Sequence, residues 1–180
     1  VPARPDLMHP SMPATPDDLF AFLDRLQIKH RTVSHPAAFT VAESRQLHEQ
    51  IPGGHSKNLF LKDKRGALKL VVALQDAVIE LKSLHRRLGA TGRFSFGSPE
   101  LLRETLGIAP GSVTPFAAIN DQEGRVEVAL DQAMLAHETL NFHPLVNTMT
   151  TSIAREDLLR FLEATGHPPR IALVSASMTQ

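Results

Sequence analysis

Apolar residues recur at helical spacing in five stretches of this chain, with short alternating or continuous apolar runs between them. The first helix is predicted from Pro16 to about Gln27. Thr15 suits the N-cap, Pro16 the first helical position, and Asp17 and Asp18 the positive helix end. Leu19, Phe20, Phe22, Leu23 and Leu26 form its apolar face. Thr40-Val41-Ala42-Glu43 reads as a capping box opening a helix to about Gln50. Glu80–Leu88 closes at Gly89, a helix opened by Ser98-Pro99 closes at Gly107, and Arg155–Thr165 closes at Gly166.

Strands are predicted at His30–Ser34, Asn58–Asp63 and Leu68–Leu74, the last two joined as a hairpin through the charged turn Lys64-Arg65-Gly66. Pro52-Gly53-Gly54 before them reads as a loop. Further strands are expected at Arg93–Phe96, Phe116–Asn120, Val126–Leu130, Thr139–Phe142, Thr148–Ile153 and Ile171–Val174. Helices and strands mix without a regular βαβ rhythm, which predicts an α+β domain with a mixed β-sheet flanked by helices. No internal repeat or linker divides it. The reading is a single domain over 15–180, preceded by a poorly ordered tail, 1–14, with Pro2, Pro5, Pro10 and Pro13.

Composition narrows the chemistry. The chain has 180 residues, 42% of them hydrophobic, enough for a packed core. It has no Cys, which removes disulfides, thiolate metal sites and cysteine nucleophiles, and suits a reducing compartment. No apolar run approaches the roughly 20 residues that span a bilayer, and the start has no apolar signal-peptide core. Lys+Arg and Asp+Glu both total 19, so any grip on nucleic acid must come from a local patch.

The familiar catalytic signatures GxSxG, GxxxxGK, HExxH and GxGxxG are missing. Lys57 lies between the Gly53-Gly54 loop and the apolar strand expected from Leu59, where it can aim a point charge at an anionic or carbonyl group. By spacing alone, a solvated lysine at a strand start fits as well or better. Gly111-Ser112-Val113-Thr114-Pro115 has glycine at one end and proline at the other. It reads as a shaped loop with exposed backbone groups or as an ordinary connection. Asn141-Phe142-His143-Pro144-Leu145-Val146-Asn147 sets a histidine between two strands, as an acid or base or as a structural hydrogen-bond partner. His48 and His85 fall on helices and read as surface residues, and His35-Pro36 as a turn.

Three segments in this order carry a resemblance: Ser56-Lys57-Asn58-Leu59-Phe60-Leu61-Lys62-Asp63, then Arg93-Phe94-Ser95-Phe96, then Gly111-Ser112-Val113-Thr114-Pro115-Phe116. They resemble the YbaK and prolyl-tRNA synthetase editing-domain superfamily. The segment Asn141–Asn147 resembles its branch of free-standing deacylases that clear alanine from proline tRNA. The match runs from about Pro16 to Val174.

The resemblance implies a compact cytoplasmic enzyme without cofactor or metal. It marks Lys57 as the key active-site residue and the loop Gly111, Ser112, Val113, Thr114, Pro115 as the wall of an aminoacyl pocket. Asn58, Arg93 and His143 join as substrate-site candidates. The implied partner is the acceptor end of proline tRNA carrying a small amino acid, with prolyl-tRNA synthetase as a candidate second partner. The implied reaction is hydrolysis of mischarged Ala-tRNA(Pro). Cysteine or serine as the cleared residue, or a binding module without turnover, are the alternatives. The ester is already activated, so such an enzyme needs mainly to position water and stabilise an oxyanion.

Overall fold

The computed structural model describes residues 12–38 and 40–175. Most of the expected tail lies outside them. Its last residue, Ala14, is buried, and its N–H donates to Asn120 Oδ1 at 2.8 Å, so the packed domain begins slightly earlier than expected.

Five α-helices form where the apolar spacing placed them: α1 (Pro16–Arg25), α2 (Val41–Gln50), α3 (Leu81–Arg87), α4 (Pro99–Leu106) and α5 (Arg155–Ala164). Thr15 and Thr40 both close full capping boxes, and Gly107 ends α4 in the left-handed conformation. The strands are β1 (His30–Ser34), β2 (Gly54–Lys62), β3 (Leu68–Leu74), β4 (Ser95–Phe96), β5 (Val126–Asp131), β6 (Thr139–Phe142), β7 (Met149–Ala154) and β8 (Arg170–Ala172). They join in one mixed sheet of order β1-β7-β6-β2-β3-β5-β8, with β4 added beside β2. The α+β reading with a mixed sheet holds.

Two details differ from the sequence reading. Phe116–Asn120 is not a strand: Pro115–Asn120 is a 3-10 segment, capped where Thr114 Oγ1 accepts from Phe116 N. A continuous apolar run does not distinguish a buried strand from a buried helical turn. In addition, β2 starts at Gly54, so Lys57 lies within the strand and pairs with Ala73 instead of preceding the strand.

Alternation along β2 separates two cores. Phe60 packs with α1, α4, α5 and the 3-10 segment around Phe116 and Phe161, whereas Leu61 packs on the other face with Leu84, Leu88 and Val174. On one edge, β2 pairs in parallel with β6 only at Gly54 and His55, and with β4 only at Leu61 and Lys62. The edge between these pairings is left to other groups, and a cleft opens there. Among the described residues no helix is long and apolar enough to cross a membrane.

Candidate active site

The cleft has a volume of about 360 Å³. Ser56 and Asn58 of β2, Asn141–His143 of β6 and the residue after it, Gly111, Asn147 and Thr150 line it, with His48 of α2 and with His35 and His55. Gly53 makes the geometry possible. Its φ is +107°, and a Cβ there would stand 2.9 Å from the Thr139 carbonyl oxygen. Asn141 is buried and fixes the same corner, its Nδ2 donating to Pro52 O at 3.0 Å and Gly54 O at 3.3 Å.

Asn58 places an unused acceptor in this wall. Its Nδ2 donates to Ser56 Oγ at 3.3 Å, while its buried Oδ1 has no partner among the described residues. A buried carbonyl oxygen without a donor is costly, so a ligand hydroxyl or ammonium would be well received there. His143 donates from Nδ1 to Met149 O at 2.9 Å. Burial pushes its pKa below 6.5. The Met149 carbonyl opposes that shift, and the His35 ring adds to it. A neutral imidazole with Nδ1–H leaves Nε2 as an acceptor.

The remaining imidazoles were not legible as site residues. His35 stands with its ring centroid 6.4 Å from that of His143, and its Nε2 meets Thr150 Oγ1 at 2.7 Å. His48, expected on the surface, stacks on His55 at 4.1 Å. Burial lowers the pKa of both. The His55 charge reinforces the shift at His48, whereas Asp76 opposes it. His85 is also not a plain surface residue, since its Nδ1 is buried and has no partner among the described residues. Among the described residues no group of three His, Asp or Glu side chains is placed to hold a metal ion.

The expected pocket loop is only partly a pocket. Gly111 lines the cleft, and a Cβ there would meet Asn147 Nδ2 at 3.3 Å. Ser112, Thr114 and Pro115 are buried and Val113 packs against the core, so this loop is a rigid support with one exposed corner. Arg93 is not at the cleft: it lies beyond the far end of β2, next to the Ser95–Lys62 pairing.

Lys57 alternates to the face opposite Ser56 and Asn58, and its Nζ donates to Ala77 O. The sequence reading had Lys57 and the Gly111–Pro115 loop facing one cavity. The earlier start of β2 rotates the lysine away from it. Ala77 borders a second, more open hollow of about 760 Å³, which shares His48, His55 and Gln75 with the cleft. The two spaces meet at that imidazole seam.

The chain matches the Aminoacyl-tRNA editing domain family over residues 35–161. It is 39% identical over 153 residues to the mouse (Mus musculus) Prolyl-tRNA synthetase associated domain-containing protein 1, covering 83% of this chain and 90% of that one. It is 33% identical over 150 residues to the Prolyl-tRNA editing protein ProX of Acetoanaerobium sticklandii, covering 83% and 91% respectively. A solved structure described as a candidate trans-editing enzyme for prolyl tRNA synthetase superposes with a TM-score of 0.68 at 20% identity, covering 91% of this chain and 99% of that one. That likeness concerns the fold. The family match over residues 35–161 and the sequence identity to these relatives show that this chain belongs to the aminoacyl-tRNA editing domain family.

Proposed function

We propose that the chain is a trans-editing deacylase that hydrolyses alanine from mischarged proline tRNA. The observation that carries the reading is the cleft of about 360 Å³ that joins Asn58, Gly111 and His143, with a buried acceptor on Asn58 left open. This volume is at the small end for a ligand pocket and fits an aminoacyl group better than a large side chain.

The aminoacyl group sits in the cleft and the terminal nucleoside lies across the imidazole seam. Asn58 Oδ1 accepts a hydrogen bond from the α-ammonium or a ribose hydroxyl. His143 Nε2 accepts from the attacking water or from the ribose hydroxyl that relays its proton. The water oxygen bonds to the ester carbon, the bond to the ribose oxygen breaks, and the proton ends on that oxygen. Lys57 lies on the other face of β2, and its ammonium, which donates to Ala77 O beside the second hollow, meets the phosphate or ribose of the nucleoside end there. ProX-like relatives and the family support the deacylase class. The preference for alanine rests on the resemblance of Asn141–Asn147 to the alanine-clearing branch of the family. A synthetic site made for proline rejects alanine by only about 1–3 kcal/mol, so a second, smaller site adds the missing discrimination.

The test is single-turnover deacylation of proline tRNA charged with alanine, serine, cysteine or proline. Alanyl-tRNA is expected to turn over fastest and prolyl-tRNA hardly at all. Lys57→Ala is expected to lower kcat/KM about 10- to 100-fold, the scale of one lost charged hydrogen bond of about 1.5–3 kcal/mol to the nucleoside end, with Tm unchanged. Equal hydrolysis of alanyl- and prolyl-tRNA, or near-wild-type turnover by Lys57→Ala, defeats the reading.

A further inference from the structure

The formal net charge is zero, yet the cations are not evenly neutralised. Lys69, Arg125, Arg155, Arg160 and Arg170 each contact a carboxylate at 2.8–3.0 Å. Lys62, Lys64, Arg65 and Arg93 are all exposed, and none forms a salt bridge with a described residue. These four come from two segments about 30 residues apart in sequence, and the fold brings them to one place.

Asp63 does the joining. It is buried, and its Oδ1 accepts from Arg65 N and Ala67 N, both at 2.9 Å, while Oδ2 accepts from Thr91 N at 3.1 Å. Lys64 N in turn donates to Thr91 O at 2.9 Å. Gly92, at φ +73°, lies directly beneath the Lys64 stem, which a Cβ there would displace. β4 then zips onto β2 through Lys62–Ser95 and Leu61–Phe96. The acid within this turn is therefore committed inward to backbone N–H groups, and the cations point outward from a rigid frame.

We propose that Lys62, Lys64, Arg65 and Arg93 form a phosphate-binding strip that grips the double-helical acceptor stem of the tRNA. The RNA identity rests on the deacylase reading above; the strip itself rests on exposure, unpaired charge and the Asp63 frame. Its position fits that ligand. Lys62 shares a strand face with Ser56 and Asn58 of the cleft, roughly 13 Å from Asn58 and roughly 20 Å from Ser56 at about 3.3 Å per residue. A stem whose 3′ end enters the cleft passes along β2 and reaches the strip within its first turn or two. Backbone phosphates need only positive charge there, which suits mixed Lys and Arg without a fixed carboxylate geometry.

The experiment compares wild type with the triple variant Lys64→Gln/Arg65→Gln/Arg93→Gln, and with Lys29→Gln/Arg31→Gln as a control outside the strip. An uncharged RNA hairpin reproducing the acceptor stem is titrated over a salt series. The triple variant is expected to lose 2–3 units of the log–log salt slope, at about 0.9 per phosphate contact, while the control keeps it. On mischarged tRNA, KM is expected to rise about 10-fold or more with kcat unchanged, and hydrolysis of alanyl-adenosine, which has no stem, is expected to be unaffected. An unchanged affinity and slope in the triple variant overturns the strip. So does a loss confined to binding of an acidic protein, which would point to a protein partner instead. If the wild type grips the hairpin through these residues but deacylates nothing, the strip stands and the deacylase reading falls.

Discussion

His143 donates its Nδ1 proton to the Met149 carbonyl, and burial keeps the ring neutral to a lower pH than an exposed histidine. A step that uses Nε2 as acceptor therefore holds its rate down through pH 6.5 and declines only in more acid solution. The rate–pH profile of alanyl-tRNA deacylation should show an acid limb below 6.5, and His143→Gln should lower the rate by about 100-fold and remove that limb. An unshifted limb in His143→Gln would assign it to another group. The same burial affects stability. His48, His55 and His143 all have folded pKa values below 6.5, so the unfolded chain takes up protons first. Stability is full above 6.5 and is lost as pH falls through the lowered values. The urea midpoint should drop over that window, and less steeply in His143→Gln. Lys57, Asn58, Gly111 and His143 were marked from sequence by resemblance, but that Asn58, Gly111 and His143 line one cleft while Lys57 faces away from it was not. His48 lies on a charged helix and looks solvated until α2 docks it on His55. That contact is tertiary, and helix periodicity carries no trace of it.

At the scale of elements, all five helices and most strands were legible because caps, prolines and glycines punctuate a regular apolar pattern. The losses fell where another segment overrides local preference. Gly53-Gly54 reads as a loop, yet Gly54 opens β2 because His137 and Leu140 pack against it too closely for a side chain. That four- to five-residue extension sets which side chains face the cleft, and so it decided the Lys57 expectation. Gly53 is the sensitive point: its φ of +107° is strained for any L side chain, and the Thr139 carbonyl oxygen blocks the space. Gly53→Ala should destabilise the fold by more than about 1 kcal/mol. Because Gly54–Leu140 pairing shapes the cleft, it should also lower deacylation per folded molecule. Denaturant melts and hydrogen exchange at β2 and β6 check this, and a wild-type midpoint with unchanged protection would refute it.

Across the whole molecule, the sheet separates two apolar layers, and the chain must bring its C-terminal segment back to the sheet after α5. Asp121 and His167 make that closure. Both are almost fully buried, with His167 Nε2 2.8 Å from Asp121 Oδ2. The same carboxylate accepts from Arg125 N at 3.0 Å and Val126 N at 2.9 Å, where the chain enters β5. Burial alone would raise the Asp121 pKa, but the His167 bond and the two backbone N–H groups together hold it below the ordinary carboxylate value. The contribution is therefore present above that ordinary value and is lost as pH falls through the lowered one. Asp121→Ala removes one acceptor group and strands two buried donors and the half-buried Arg125 N–H, which costs about 3–5 kcal/mol for a broken buried pair. Asp121→Asn keeps one oxygen and should lose less. Chemical denaturation at neutral pH should rank wild type above Asn and Asn above Ala, and the gap between wild type and Ala should narrow in strong acid. A gap that stays constant with pH would mean that Asp121 acts only by packing.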